Sequence, residues 1–155
     1  MAVGLSPVYI IASLLPLYGA FQQLILGEPF GNNPAPDSLM VVLAIVLGVG
    51  LPLFMYMTNL TTEIHSDGLY FRFFPFHLSF RRIAAQEIRG FESCTYSPIK
   101  DYGGWGIRYG RKGKAYNVSG NRGVQFELSN GKHLLIGSRR PEELAEILTS
   151  ILGKR

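Results

Sequence analysis

Within Gly103–Gly120 (GGWGIRYGRKGKAYNVSG) the sequence concentrates glycines, four basic side chains and the only tryptophan of the chain. Glycines beside cations raise the question of phosphate chemistry, because backbone N–H groups and a helix N-terminus can cradle an anion. Gly104-Trp105-Gly106-Ile107-Arg108-Tyr109-Gly110 approaches G-x-G-x-x-G, but its third glycine comes one position late and a turn and strand follow where a helix is required. No G-x-x-x-x-G-K-[ST] occurs. A hairpin fits better: strand WGIRY, turn GRKG, strand KAYNV. Trp105, Ile107 and Tyr109 then share one face, with Gly106 and Arg108 on the other. The tip gathers Arg111, Lys112 and Lys114, a docking point for lipid headgroups or an acidic partner, though such a basic tip is more often just a soluble loop. Exposed aromatics and arginines concentrate binding energy in interfaces, so the candidate contact residues are Trp105, Arg108, Arg111, Lys112 and Lys114.

Other chemistry is thinly represented. His65, His77 and His133 fall in different predicted strands, as surface or edge residues, without a second His or Cys at metal-ligand spacing. Cys94 is alone, so no internal disulfide forms. The carboxylate pairs Glu87/Glu92 and Glu142/Glu143 carry no pocket signal, and no G-x-S-x-G, S-x-x-K or H-E-x-x-H appears. The sequence thus predicts no enzyme, cofactor or metal. Basic and aromatic residues interleave at Tyr70, Arg72, Arg81, Trp105, Arg108 and Tyr109, a pattern that can stack nucleic acid; the membrane segments described next argue against that partner.

All fifteen Lys and Arg lie at or beyond Arg72. Leu39–Met57 is nineteen apolar or small residues in a row, close to the ~30 Å hydrocarbon core at about 1.5 Å per residue. Residues 5–26 are also uncharged and are predicted as a second transmembrane helix, there being no basic leader or A-x-A-like cleavage site. Pro16 and Pro52 are expected to kink the two helices, and Ala44/Gly48 form a small-xxx-small pair. Residues 27–38 form a turn-rich loop with two acids and no base, which the positive-inside rule places outside, with both termini in the cytoplasm. The sequence therefore predicts a helical hairpin over 1–57 and a cytoplasmic domain over 58–155. That domain has fifteen basic and nine acidic side chains, net +6. Sequons at Asn59 and Asn117 read as chance.

In 58–155, turn signals recur at short intervals. TTEIH, LYFRFF, FHLSFRR, GFESCTYS, WGIRY, KAYNV, GVQFELS and KHLLIG read as strands, IAAQEI as one turn of helix, and Asn130-Gly131 as a hairpin turn. Seven or eight short antiparallel strands suggest a small β-barrel or sandwich. Over about 141–152 the period changes, placing Leu144, Ile147, Leu148, Ile151 and Leu152 on one helical face, with Ser138 or Arg140 as N-cap. The segments IHSDGLYFRFFPF, GGWGIR, AYNVSGNRGVQFELSNGKHLLIGS and RPEELAEIL, behind membrane helices, resemble prokaryotic membrane-anchored pleckstrin-homology-like domains. That resemblance implies a bent antiparallel barrel of about seven strands capped by the C-terminal helix. The first turn, Ser66-Asp67-Gly68, lacks the bases expected for specific phosphoinositide binding. The expected function is a membrane-tethered module binding a protein partner or a second copy. The alternatives are contact with anionic headgroups, through the hairpin tip with Arg81, Arg82, Arg139 and Arg140, and an accessory subunit of a transporter or membrane enzyme complex.

Overall fold

The computed structural model describes residues 7–153; the expected helix start at Leu5 and the terminal Lys154 and Arg155 lie outside them. The chain divides into two compact units, Met1–Met57 and Thr58–Arg155.

In the first unit, α1 (Pro7–Ala20) continues into a π-helical turn, Phe21–Ile25, and stops where Gly27 takes φ +71°. The loop that follows is pinned by Gln23, whose Nε2 donates to the Ala35 carbonyl at 2.7 Å and to Asp37 Oδ1 at 2.6 Å. Asp37 opens α2 (Asp37–Leu43), where a carboxylate complements the positive helix end. A π-helical stretch, Ala44–Gly50, leads into α3 (Leu51–Met57). Its wider turns end just before Pro52, whose ring would clash with the carbonyl four residues back in a regular α-helix. Glycines let the two runs approach: a Cβ on Gly48 would lie 2.5 Å from Leu17 Cγ, and one on Gly19 would lie 2.6 Å from Met40 Cε.

Among the described residues one helix, Asp37–Met57, is long and apolar enough to cross a membrane. The expected two-helix transmembrane hairpin is therefore corrected. The described first run, Tyr9–Ile25, is shorter than a span requires, because Gly27 ends it and no helix resumes before Asp37.

In the second unit, β1 (Asn59–His65), β2 (Gly68–Phe74) and β3 (Arg81–Ala84) form a meander. A 3₁₀ turn, Ala85–Glu87, leads to β4 (Ile88–Thr95). Then come the short α4 (Pro98–Tyr102), β5 (Gly106–Gly110), β6 (Gly113–Asn117), β7 (Arg122–Leu128), β8 (His133–Gly137) and α5 (Pro141–Leu152). β4 to β8 make a separate sheet in the order β4-β7-β8-β6-β5. This overturns the closed antiparallel barrel. There are two open sheets of three and five strands, and β6 runs parallel to β8. The expected strand FHLSFRR is mostly loop; only Arg81–Ala84 pairs with β2.

Between the sheets lies the main core, with Leu69, Phe71, Phe73, Ile83, Ile88, Tyr116, Val124, Phe126, Leu134, Ile136 and Leu148 buried. The five-stranded sheet is covered on its other face too, where Tyr96, Tyr102, Ala115 and Leu135 cluster. Ser97 caps the helix that brings Tyr102 there, and the Tyr102 hydroxyl donates to Gln125 at 3.2 Å. With both faces covered, Ala115–Asn117 and Leu134–Ile136 are buried without alternation. Asn117 is fully buried, accepting from Gly106 N–H at 2.9 Å and donating to the Tyr96 hydroxyl at 3.1 Å. Its sequon is thus closed to modification in the folded chain. Arg140 is the N-cap of α5, its own N–H bonded to Ser138 Oγ. Leu144, Leu148 and Leu152 reach the core, while Ile147 and Ile151 stay exposed, so the apolar stripe is narrower than predicted.

Candidate interaction surface

The β5–β6 hairpin forms in the register Tyr109↔Lys114 and Ile107↔Tyr116, and β5 is an edge of its sheet. Its five candidate contact residues do not converge. Trp105 is 39% exposed and held at the start of β5 by an indole N–H bond to the Gly120 carbonyl, 2.8 Å. Arg108 folds back, donating from Nε to the Trp105 carbonyl at 3.0 Å. Arg111 is exposed at the tip. Lys112 turns to Asp101, 3.7 Å away.

Lys114 goes elsewhere. Its Nζ lies 4.9 Å from the centroids of both the Tyr109 and Tyr116 rings. Burial opposes its charge, and hydrogen bonds with the two tyrosines outweigh that, holding the amine above its usual range. Tyr116 is also the neighbour of His77, with ring centroids 5.5 Å apart, and of Phe71, at 4.7 Å.

His77 is the residue that sequence reasoning misplaced. It sits in the β2–β3 loop, not in a strand, and is only 9% exposed. Its Nδ1 is buried without a hydrogen-bond partner among the described residues. Burial, then the charges of Arg81 and Lys114, hold the imidazole below its ordinary range. The same loop exposes Phe76 and Leu78. The cue in the sequence is Pro75, which ends β2 and interrupts the alternating run before Phe76–His77–Leu78.

A pH dependence follows. A histidine held neutral by the fold contributes stability that is complete above its unfolded pKa, about 6.5. That stability is lost as pH falls through this value towards the lower folded one. The groups facing it are Phe71, Tyr116, Arg81 and Lys114. The denaturant midpoint of the full chain in detergent is expected to fall between about pH 7.5 and about pH 5.5, and the slope to flatten in His77→Gln. Equal slopes in the two proteins would remove His77 from the linkage.

The remaining candidates stay apart. Arg82 pairs with Asp67 at 3.2 Å, beside the Tyr70 hydroxyl that donates to the same carboxylate; Arg140 pairs with Glu143 at 3.2 Å. Arg139 is exposed. Basic residues 81, 82, 139 and 140 therefore form no single headgroup site. His65 and His133 are exposed. The Cys94 thiol is pushed up, chiefly by burial. Among the described residues, no three His, Cys, Asp or Glu group to hold a metal ion.

Comparison with known proteins gives a match over residues 3–154 to a family described as "Family of unknown function (DUF6141)". No curated protein and no solved structure matches.

Proposed function

We propose that this chain, which belongs to the DUF6141 family of unknown function, is a membrane-anchored interaction module that offers the β5 edge to a partner protein at the membrane face. The observation that carries this reading is Asp37–Met57. Only Met40 and Gly48 along it are buried, and its twenty-one residues span about 31 Å, enough for the hydrocarbon core. An unburied apolar helix of that length needs a nonaqueous environment. Thr58 alone separates it from β1, so a crossing there keeps the β unit close to the bilayer. With the basic residues all in the β unit, the positive-inside rule assigns that unit to the cytoplasmic side.

The binding surface is argued from the edge itself. Beyond β5 no further strand pairs among the described residues, and a bare edge is a template for an added strand. Arg108 is exposed there. Arg108 and Arg111 have no ion pair among the described residues, which favours an acidic extended segment as the partner.

The test has two arms. The full chain should resist alkaline carbonate extraction from native membranes. A photo-crosslinking amino acid at Arg108 should also capture one discrete protein. Release by carbonate would defeat the anchor, and crosslinks no richer than those from an exposed control at Ser66 would defeat the edge.

A further inference from the structure

We propose that the β2–β3 loop, together with Arg81, Lys114 and Tyr109, is a docking surface for an anionic lipid bilayer. This rests on the reading of Asp37–Met57 as a span, and it adds which end of the β unit meets the lipid.

Strand register is the first observation. Asn59 pairs with Phe74, and His65 with Gly68. The chain therefore arrives in β1, one residue beyond the apolar helix, at the same end of the β1–β2 pair from which residues 75–80 depart. The Ser66-Asp67 turn lies at the opposite end.

The second observation is what this loop displays. Leu78 is 78% exposed and Phe76 59%, and Tyr109 stands out beside Lys114. Isolated exposed apolar residues need no explanation. Phe76, however, belongs to one packed hub: it lies against Phe73 and Phe73 against Tyr116, which in turn packs against His77, the chain neighbour of Leu78, and against Lys114, whose amine also lies over Tyr109.

Charge is the third. Among the described residues Glu63, Asp67, Asp101, Glu127, Glu142 and Glu143 each pair with a base or histidine elsewhere. Arg81 and Lys114 have no such partner among them. Both charges reach His77, and together with Lys132 they hold the Tyr109 phenol below its usual range, after the hydrogen bond from Lys114. Uncompensated cations interspersed with Leu, Phe and Tyr suit the headgroup boundary. There the apolar tips enter the acyl region while the cations meet phosphates. Lys114, its stem laid along two tyrosine rings, can present its amine without losing the packing. A protein partner at this end would leave unexplained why the exposed residues lie where the chain arrives from the apolar helix.

The full chain, with Cys94→Ala and one environment-sensitive fluorophore, is placed in nanodiscs with and without phosphatidylglycerol in phosphatidylcholine. The label sits at Leu78→Cys, at Ile45→Cys within the helix, or at Ser66→Cys. At residue 78 a blue shift and a several-fold drop in access to an aqueous quencher are expected only with the anionic lipid. Added salt should reverse both, as should Arg81→Gln with Lys114→Gln. Residue 66 should stay aqueous and residue 45 protected throughout. If residue 45 is protected while residue 78 ignores the lipid, the docking surface is overturned and the span survives. Equal protection of residue 78 in both lipids would show that anionic headgroups are not what this surface recognises, which also overturns the proposal. Quenching at residue 45 would overturn the span and the docking surface together.

Discussion

Replacing Tyr116 with alanine is expected to cost the β unit about 3–5 kcal/mol, the usual penalty for emptying a large aromatic site in a core. Domains of ordinary stability have about 5–15 kcal/mol in total, so the variant should be barely folded. Tyr116 is 2% exposed and lies where the two sheets meet. Its ring packs against Phe71 and Phe73 from the three-stranded sheet and His77 from the loop, and it carries the Lys114 amine over one face. These neighbours come from different elements, so they cannot all close in on the void, and an incomplete collapse raises the cost. Tyr116→Phe keeps the ring, its packing and the face that lies beneath the Lys114 amine, so it should be far less destabilising than the alanine variant. Denaturant unfolding of the full chain in detergent, followed by the fluorescence of Trp105, checks both. An alanine variant as stable as the parent would show that the sheets do not depend on this contact.

How far such contacts could be read beforehand differs along the chain. Local signals are carried by neighbouring residues. Asn130-Gly131 lies in the short turn between β7 and β8, where the Gly131 N–H bonds the Leu128 carbonyl, and the apolar period after Pro141 marks α5. Sheet closure is a different kind of property. Whether β3 and β5 meet to shut a barrel depends on pairings far apart in sequence. The parallel contact of β6 with β8 cannot be inferred from turns, because β7 lies between them in the chain. Two-sided burial also erased the period-two pattern in Leu134–Ile136. PFHLSF failed for the opposite reason: an alternating pattern promises a strand only if a neighbouring strand pairs with it, and here the His77 N–H turns back to the Phe73 carbonyl instead. The hairpin itself was legible in its glycines and aromatics. The directions of its cations were not. Lys112 is drawn off by Asp101 and Arg108 by a carbonyl, leaving Lys114 to point towards the core's mouth, where Arg81 and His77 arrive from the other sheet.

Gly113 makes the second large effect. Both Gly113 and Gly120 hold positive φ, +98° and +75°, where any L side chain costs roughly 1–2 kcal/mol. Their surroundings differ. Around Gly120 a new Cβ would meet nothing within 4 Å, whereas at Gly113 it would fall 2.2 Å from the His133 carbonyl oxygen. That oxygen belongs to backbone at the start of β8, which pairs with β6 from Lys114 onward, so relief requires parting two central strands. Gly120→Ala should therefore lose about 1–2 kcal/mol and Gly113→Ala several more, with the hairpin splayed. Parting β6 from β8 also displaces Lys114, with the tyrosine rings of its own hairpin, from Arg81 and His77, so any Gly113→Ala protein that folds should lose the salt-sensitive protection expected at residue 78. Gly120→Ala should keep it. If the two alanine variants melt together, the close approach of β6 to β8 is not what requires glycine at position 113, and the strain of positive φ alone governs both sites.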